Sequence, residues 1–507
     1  TKTGYAEGME VSHAYPVFVP LKITSPDPRF IARLDENTPT GIDRVDIHYA
    51  KSILDSKKEI YYLTIIKGVF CAVEKKYGDS IVKYLYDKWI LSKKVSFQKK
   101  TLSINDASKV PLIKKTIGRF AKCIDKNVFE LITKKPNGCY VNISHYGVGK
   151  VEAYYVFKTL GKMKLIFFLH DLIPIDFPEH VNEPDEEQHK IRVKAMALFA
   201  DIIIVNSQFT QKRLYNFCDK QNITRPKCLI NKIGIEDRFL DVDISNKPIV
   251  QGDYFIYVST IESRKNHILL LNVWRDMIEK NKLASIPKLI FVGKNGWKND
   301  SAMYMMNRCP YLQNHVFHLQ GLSDNELIQL VANSTALLFP SFTEGWGMPL
   351  VEAIALNTPV ICSDIEIFHE AGQDLLTYVP LIDSLGWQNE ILKFASDKKY
   401  RASKIEKMKA YKMPRWDTHF ETFYNYLSEK SSNYNKTVTQ EMVENFRASL
   451  VVSNKANADK AIDAVTIDKR MRRSKLIRKF KTDPVKFFMD SKNPILRFIG
   501  KRLQKLN

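Results

Sequence analysis

The sequence lacks the patterns that mark several classes of protein. Its seven cysteines include no CxxC pair, which argues against a zinc site or a disulfide framework. No apolar run approaches the roughly 20 residues that cross a bilayer, and the first residues lack the apolar core of a secretory signal. No acidic pair of the DxD kind lies in a suitable loop. We therefore expect a cytoplasmic protein with reduced thiols, no cofactor and no bound metal.

Composition and charge describe a large and unevenly basic chain. Of its 507 residues, 45% are hydrophobic and 11% aromatic, which is enough for two or three domains with cores of their own. The net charge is +21, and residues 469–507 carry fourteen Lys and Arg against two Asp, a net +12. Such a segment calls for an anionic partner: a membrane, a nucleic acid or an acidic protein.

Two stretches of the chain alternate short apolar runs with helical patterns. Residues 1–45 are irregular at first, and a helical pattern from Ile42 to Leu54 opens a series of helices expected to reach about residue 135. Buried strands are predicted after that at 164–170, 200–206, 254–259, 288–293, 315–320, 336–339 and 359–363.

Strands that alternate with helices form βαβ units, so we predict an α/β protein with two facing, doubly wound, Rossmann-like domains. We place these domains at residues 1–245 and 250–428. A spacer at 430–468 and a basic helical tail at 469–507 follow.

The segment from Phe339 to Asp364 contains the residues best suited to chemistry. Glu344 belongs to a loop that should face a ligand, and Glu352 lies about one turn into the next helix, where it can accept two hydroxyl hydrogen bonds. Glycines at a strand-to-helix junction let backbone amides approach a ligand, and a helix N-terminus favours an anion. The alternative is an ordinary surface loop entering a helix. The junction reads Gly345, Trp346, Gly347, Met348 and Pro349.

Two further loops follow predicted strands. Arg264 and Lys265 open a helix, where two adjacent cations can meet a diphosphate as it leaves. A solvated charge pair is the alternative, although cations are disfavoured at that end of a helix. His170 and Asp171 end a strand of the first domain, at the edge where such sheets bind ligands, although a histidine there is more often structural.

An early loop completes the set of candidates. It runs from Pro39 to Val45 and contains Gly41, which can approach a ligand closely, and Arg44. Arg44 fits a functional role and a solvated helix charge equally well.

These motifs resemble those of glycosyltransferase family 4, whose members have the GT-B fold and an E-x7-E signature that Glu344 and Glu352 match. The resemblance covers about residues 30–428. It implies a retaining, metal-independent hexosyltransferase in which the first Glu contacts the donor sugar and the second holds the ribose hydroxyls. It further implies that Arg264 and Lys265 meet the diphosphate and that His170 helps to position the reacting sugar.

On this basis His170, Arg264, Lys265 and Glu344 are the predicted catalytic residues. The predicted substrate-binding residues are Gly41, Asp171, Asn206, Gly293, Leu322, Gly345, Trp346, Gly347, Met348 and Glu352. One departure weakens the match: many members have an Arg early in the loop that here reads Ser259-Thr260, so one phosphate ligand is missing.

The loops around His170 and Arg264 look most like those of mannosyltransferases. The resemblance therefore implies a nucleotide-sugar donor, with GDP-mannose first and rhamnose or galactose donors next, and a glycan acceptor. It also implies front-face attack, in which the donor phosphate accepts the proton of the acceptor.

The basic tail combines its cations with apolar and aromatic residues at helical spacing, and Pro484 and Pro494 divide it into short helices. Basic amphipathic helices bind anionic membranes, and the apolar residues are too many for a nucleic-acid-binding arm. The tail also resembles those of bacterial surface-polysaccharide glycosyltransferases, whose acceptors are lipid-linked. We expect a peripheral protein on the inner face of the bacterial inner membrane, acting in capsule or O-antigen synthesis, with an assembly protein as a possible partner.

Alternatives remain open for the tail and for the whole chain. The tail could dock onto a partner protein, bind nucleic acid or simply be solvated. A nucleic-acid-binding protein would need a basic face outside the tail. The whole chain could also be a nonenzymatic sugar-nucleotide-binding or scaffold module of a polysaccharide assembly complex.

Overall fold

A computed structural model of the chain describes residues 17–20, 39–56, 58–66, 68–93, 124–244, 249–280, 286–428 and 436–450. Residues up to Val438 belong to one compact unit, and those from Thr439 belong to a second. Within the second unit, residues 440–450 are helical. The predicted basic tail and most of the predicted spacer lie outside the described residues. Everything below concerns the first unit.

The first α/β domain is built on a seven-stranded sheet with the spatial order β3-β2-β1-β4-β5-β6-β7. Neighbouring strands are parallel, except for the antiparallel pair β2 and β3. The strands are β1 (Val17–Pro20), β2 (Ile60–Ile66), β3 (Val69–Val73), β4 (Cys139–Asn142), β5 (Lys164–Leu169), β6 (Ile202–Val205) and β7 (Cys228–Ile230). The helices are α1 (Gly41–Asp55), α2 (Lys75–Trp89), α3 (Lys126–Lys134), α4 (Val151–Thr159), α5 (Ile173–Asp176), α6 (Glu183–Phe199) and α7 (Gln208–Lys220).

The second α/β domain is built on a six-stranded parallel sheet with the order β10-β9-β8-β11-β12-β13. The strands are β8 (Tyr254–Val258), β9 (Lys288–Val292), β10 (Val316–Leu319), β11 (Ala336–Phe339), β12 (Val360–Ser363) and β13 (Thr377–Val379). The helices are α8 (His267–Glu279), α9 (Asp300–Arg308), α10 (Asp324–Ala332), α11 (Met348–Ala355), α12 (Glu366–Gly372), α13 (Ser384–Ser396), α14 (Lys398–Met408) and α15 (Trp416–Ser428).

Both sheets contain a point where the strand order reverses. In the first sheet β1 lies beside β4, and in the second β8 lies beside β11. Loops that leave such a pair of strands diverge to opposite faces and open a crevice at the carboxyl edge, which is where α/β sheets bind ligands. The strand order therefore directs attention to the loops that follow β8 and β11.

Side-chain caps begin several of the helices. Ser207 accepts a hydrogen bond from the amide of Thr210, 3.0 Å away, and so caps α7 as its sequence predicts. Thr40 and Asp43 form a reciprocal capping box at α1, and Ser323 and Glu326 form another at α10.

The prediction for the first 135 residues is wrong in part. The segment expected to be irregular contains β1, an interior strand of the first sheet, and the stretch expected to be helical contains β2 and β3. β1 follows Pro16 and ends at Pro20, so it is only four residues long and no periodicity is visible in it. β2 and β3 form a hairpin in which Gly68 has a φ of +84°, and the Lys67-Gly68 pair is a turn signal that the helical interpretation missed.

The last helix, α15, packs against the first domain although it follows the second domain in sequence. The ring of Tyr49 on α1 lies 5.2 Å from that of Phe420 and 5.1 Å from that of Phe423. His419 bonds the carbonyl oxygen of Lys232 through Nδ1 and the hydroxyl of Tyr49 through Nε2, both at 2.7 Å. Because a carbonyl can only accept, Nδ1 carries the proton, and Nε2 accepts from Tyr49.

This buried contact should make the fold sensitive to acid. Burial lowers the pKa of His419 from 6.5 to about 4. Between these two pH values the unfolded chain binds a proton that the folded chain does not, so stability falls as the pH drops through this window. We expect His419 to account for about 2 kcal/mol of the decrease in unfolding free energy between pH 8 and pH 5.

Urea unfolding of the wild type and of His419→Asn at pH 8 and pH 5 measures this contribution. Asn keeps a donor near the Lys232 carbonyl but does not titrate. The decrease should be about 2 kcal/mol smaller in the variant, and an equal decrease in both proteins would contradict the assignment.

Candidate functional site

The loops after β8 and β11 bring together the charged residues that the sequence singled out. Residues 259–266 follow β8, and residues 340–347 follow β11, its neighbour in the sheet. The amide of Phe342 donates to the carbonyl of Arg264 at 2.9 Å, which joins the two loops directly. Buried Tyr257 supports both from below, because its hydroxyl donates to the carbonyl of Lys265 at 2.9 Å and lies 3.0 Å from Oγ of Ser341.

Glu344 is the centre of this arrangement. Arg264 Nη1 lies 3.0 Å from Glu344 Oε2, and the ammonium group of Lys265 contacts Glu344 Oε1. Arg264 also pairs through Nε with Glu262 Oε1, 2.7 Å away. Lys265 and Glu344 are each only 7% exposed, so this charge cluster (Glu262, Arg264, Lys265 and Glu344) lies largely out of water.

The electrostatics of the cluster follow from burial and pairing. Burial alone would raise the pKa of Glu344, but the charges of Lys265 and Arg264 outweigh it and lower the pKa to about 2. Burial and the charge of Arg264 lower the pKa of Lys265 below its usual value. The Glu344 carboxylate is therefore ionised at neutral pH, and the cluster presents two cations beside it.

The backbone around the cluster adopts conformations that few residues allow. Asn266 has a left-handed φ of 55° where the loop turns into α8. Gly347 has a φ of +90° immediately before α11, where a side chain would be strained. These two turns lie immediately before α8 and α11, at the end of the loops that follow β8 and β11.

Glu352, the second acid of the signature, lies on α11 and is 6% exposed. Its Oε1 accepts a hydrogen bond from Arg44 Nη1 at 2.8 Å, and Arg44 Nε donates to Glu236 Oε1 at 2.7 Å. Arg44 belongs to α1 of the first domain, so this ion pair spans the two domains. The sequence left the role of Arg44 open and missed Glu236, although an acid directly after the Gly234-Ile235 pair was a readable signal.

His170 lies at the carboxyl edge of the first sheet, directly after β5. Its Nε2 lies 2.9 Å from the carbonyl oxygen of Ile143, so Nε2 carries a proton and Nδ1 is left as the acceptor. Burial lowers the pKa of His170 to about 4, which keeps the ring neutral at physiological pH. Asn206 donates to the His170 carbonyl at 2.8 Å and fixes the turn.

Several of the predicted site residues lie at contacts between the two domains. A Cβ atom placed on Gly345 would lie 2.7 Å from the carbonyl oxygen of His170 and 3.2 Å from Cβ of Asp171. A Cβ atom on Gly41 would lie 2.6 Å from the terminal carbon of Met348. Glycine therefore permits both contacts, and loops 170 and more residues apart in sequence form one crevice.

The remaining predicted residues have other surroundings. Gly293 has a φ of +151°, and a side chain there would meet the carbonyl of Ser259, so it allows two loops of the second domain to pack. Trp346 is buried in the hydrophobic core, and Leu322 is partly buried and packs against that core. The Asn206 side-chain amide is bonded at both ends, its oxygen to Ser207 and Thr210. Ligand contacts by these residues stay predictions.

A cavity of about 440 Å³ lies beside the Arg44 ion pairs rather than at the charge cluster. It is lined by parts of α1, α2, α10 and the linker after β7, and one of its lining residues is Glu236, the partner of Arg44.

In the ranges that the structure describes, no three His, Cys, Asp or Glu side chains are grouped as metal ligands, and the metal-free site stays a prediction. None of the described helices is long and apolar enough to cross a membrane.

Comparison with known proteins identifies the second domain. Residues 243–410 match the family described as Glycosyl transferases group 1. The serotype-specific mannosyltransferase WbdA of Escherichia coli is 30% identical over 225 residues, which cover 42% of this chain and 27% of WbdA. The O-antigen chain mannosyltransferase RfbU of Salmonella typhimurium is 36% identical over 144 residues, 27% of this chain and 37% of RfbU. The matches thus span between 27% and 37% of the length of these curated relatives.

Solved structures match the whole two-domain arrangement. Anabaena HepE, in a crystal structure with UDP and glucose, superposes with a TM-score of 0.55 at 14% identity, covering 82% of this chain and 99% of that one. Sucrose-phosphate synthase from Thermosynechococcus elongatus gives a TM-score of 0.50 at 14% identity with the same coverage. At such identity the likeness concerns the fold.

The chain therefore has the GT-B fold and carries a glycosyl transferases group 1 domain, with mannosyltransferases among its relatives. The predicted fold class is confirmed, and the relatives are named as mannosyltransferases, as the family resemblance implies. Membership of family 4, retention of configuration and the roles of single residues stay predictions.

The contact at Gly345 can be tested by adding a methyl group. In Gly345→Ala the new Cβ would clash with the His170 loop, and we expect a loss of about 1–3 kcal/mol in unfolding free energy. Gly149→Ala is the matched control, because the nearest heavy atom to its added Cβ would be Ile191 Cγ2 at 3.4 Å. Urea unfolding of both variants gives the comparison; equal stability of the two would mean that the domains do not pack as described.

Proposed function

We propose that the protein is a glycosyltransferase that transfers mannose from GDP-mannose to a glycan acceptor in O-antigen or capsule synthesis. The observation that supports it most is the buried cluster of Arg264, Lys265 and Glu344 at the reversal point of the second sheet. The cluster lies inside the domain that matches the glycosyl transferases group 1 family. Paired cations at that edge are suited to an anionic leaving group, and a nucleoside diphosphate is one.

Mannose and GDP are the first choice of donor for two reasons. WbdA and RfbU are named as mannosyltransferases, and a human relative, 24% identical over 187 residues, is named as a GDP-Man-dependent alpha-1,2-mannosyltransferase. The His170 and Arg264 loops also resemble those of mannosyltransferases. The UDP and glucose in the HepE structure support a sugar-nucleotide donor in general.

The charge cluster suits the departure of a diphosphate. As the bond between the anomeric carbon and the diphosphate oxygen breaks, negative charge grows on that oxygen. Arg264 and Lys265 are held in place by Glu344, so they can stabilise this charge without reorganising. A diphosphate bound there would share both cations with Glu344.

We propose that transfer proceeds with retention and without a covalent enzyme intermediate. The acceptor hydroxyl oxygen forms a bond to the anomeric carbon on the face that the diphosphate leaves, and the hydroxyl proton passes to a diphosphate oxygen. Both oxygens of Glu344 face cations, which makes this carboxylate a poor nucleophile. Neutral His170 can accept a hydrogen bond from a sugar hydroxyl through Nδ1.

The tail and the relatives support the proposed acceptor and location. RfbU is named as an O-antigen chain mannosyltransferase. Residues 469–507 carry a net +12 with apolar residues between the cations, which suits an anionic membrane surface. We propose a lipid-linked acceptor at the inner face of the bacterial inner membrane, with a polysaccharide-assembly protein as a further partner.

Replacement of Lys265 tests the catalytic role of the cluster. In Lys265→Met, one of the two cations that meet the leaving diphosphate is lost, and we expect turnover to fall about 10²–10³-fold. Release of GDP from GDP-mannose, with and without a membrane extract that supplies acceptor, measures it. Glu344→Gln should also lower turnover, because both cations lose their anchor.

Lys158→Met is the control for loss of a buried lysine. Lys158 is 8% exposed and pairs with Asp201 in the first domain, away from the crevice, so the variant should be destabilised but keep its turnover per folded molecule. Wild-type turnover in a folded Lys265→Met protein would remove the cluster from the mechanism.

A panel of nucleotide sugars tests the donor separately. The melting temperature should rise most with GDP-mannose, since binding to the folded state alone stabilises it. A larger rise with UDP-glucose or a rhamnose donor would leave the glycosyltransferase in place and replace the sugar.

A further inference from the structure

Arg44 lies at a position that is unfavourable for a positive charge. It lies in the first turn of α1, and positive charge is disfavoured at a helix N-terminus. Its side chain is only 17% exposed, so the guanidinium is not simply solvated. Something in the fold must therefore hold it, and the partners are two buried carboxylates from other parts of the chain.

The geometry of these partners is specific. Nε of Arg44 donates to Glu236 Oε1 at 2.7 Å, and Nη1 donates to Glu352 Oε1 at 2.8 Å. The Glu236 and Glu352 side chains are 3% and 8% exposed. Burial would lower the pKa of Arg44, but the two carboxylates outweigh it and raise the pKa, so the group stays charged.

Glu236 is itself held in place from the other side. Arg238 pairs with its second oxygen and with Asp324 at the start of α10, and His48 Nε2 lies 3.6 Å from Oε1. Alternating charges thus run from Asp324 through Arg238, Glu236 and Arg44 to Glu352. The row joins the first domain, the linker after β7 and two helices of the second domain.

We propose that Arg44 is a positioning residue that fixes the Glu352 carboxylate so that it can accept hydrogen bonds from the ribose hydroxyls of the donor. The proposal rests on the proposed function and on the role that the family resemblance implies for Glu352, which is to hold the ribose hydroxyls. A carboxylate has about four acceptor positions, and Arg44 takes one on Oε1, so enough remain for two hydroxyls. Removing rotamer freedom before binding lowers the entropic cost of the complex.

The same geometry has an opposite interpretation, which the experiment must separate. If the ribose had to displace Arg44 from Glu352, the ion pair would be a lock, and its removal would strengthen binding. If Arg44 only stabilised the fold, its removal would change the melting temperature and leave the recognition of ribose unaltered.

Calorimetric titration of nucleotides distinguishes these cases. The probes are GDP and 2′,3′-dideoxy-GDP, or the UDP pair if UDP binds more tightly, with wild type, Arg44→Met and Arg44→Lys. We expect Arg44→Met to bind the ribonucleotide about tenfold or more weakly. Without Arg44 the Glu352 carboxylate would lose about one charged hydrogen bond to a ribose hydroxyl. The dideoxy compound should lose little, so the preference for ribose should shrink, and Arg44→Lys should restore part of it.

Arg225→Met controls for loss of one positive charge, because Arg225 pairs with Asp219 on the surface of the first domain. Tighter binding by Arg44→Met, or an unchanged preference for ribose, would overturn the positioning role. A wild type that binds neither GDP nor UDP would instead refute the proposed function, and the role of Arg44 with it. Wild-type binding of both a ribonucleotide and its dideoxy form with equal affinity would remove Glu352 from ribose recognition.

Discussion

The candidate site depends on one interaction, the buried ion pairing of Glu344 with Arg264 and Lys265. Charged groups lose their hydration when they are buried, and only close pairing offsets that cost. Here the pairing also holds the two cations in place at the carboxyl edge of the sheet. The left-handed turns at Asn266 and Gly347, and the hydrogen bonds of Tyr257, all serve to keep these loops together.

A second set of buried ion pairs connects the two domains across the crevice. Arg44 connects the first domain to Glu352, and Glu236 connects Arg44 to the linker between the sheets. Close packing of glycines against the opposite loops, at Gly41 and Gly345, brings the domains near enough for these bonds. Under the proposed function, donor binding would therefore be coupled to the relative position of the domains through these buried charges.

The sequence predicts the second domain far better than the first 135 residues, and the reason is physical. β8 to β12 are runs of four or five mostly apolar residues, each followed by a helix, so their type and order are readable, whereas the three-residue β13 was not predicted. β1 has four residues next to Pro16, and β2 and β3 form a hairpin instead of a βαβ unit. Their strand character comes from pairing with neighbours that local sequence does not reveal.

The candidate site likewise contains a part that the sequence predicts and a part that it does not. Glu344, Arg264 and Lys265 were predicted to share one site because each loop follows a predicted strand and matches a motif of the family that the chain resembles. The bond between Arg44 and Glu352 joins residues 308 positions apart on different domains, and no spacing rule predicts it. Likewise the contact of Gly345 with His170 depends on how the two domains face each other.

Hydrogen exchange with and without a nucleoside diphosphate tests the central claim most directly. If the charge cluster binds the diphosphate, addition of GDP or UDP to the full chain should slow amide exchange in residues 259–266 and 340–352 together. Exchange in β3 and α3, which lie at the outer edge of the first sheet, should not change. Saturating nucleotide that protects neither loop, or protects a different part of the second domain, would contradict the account.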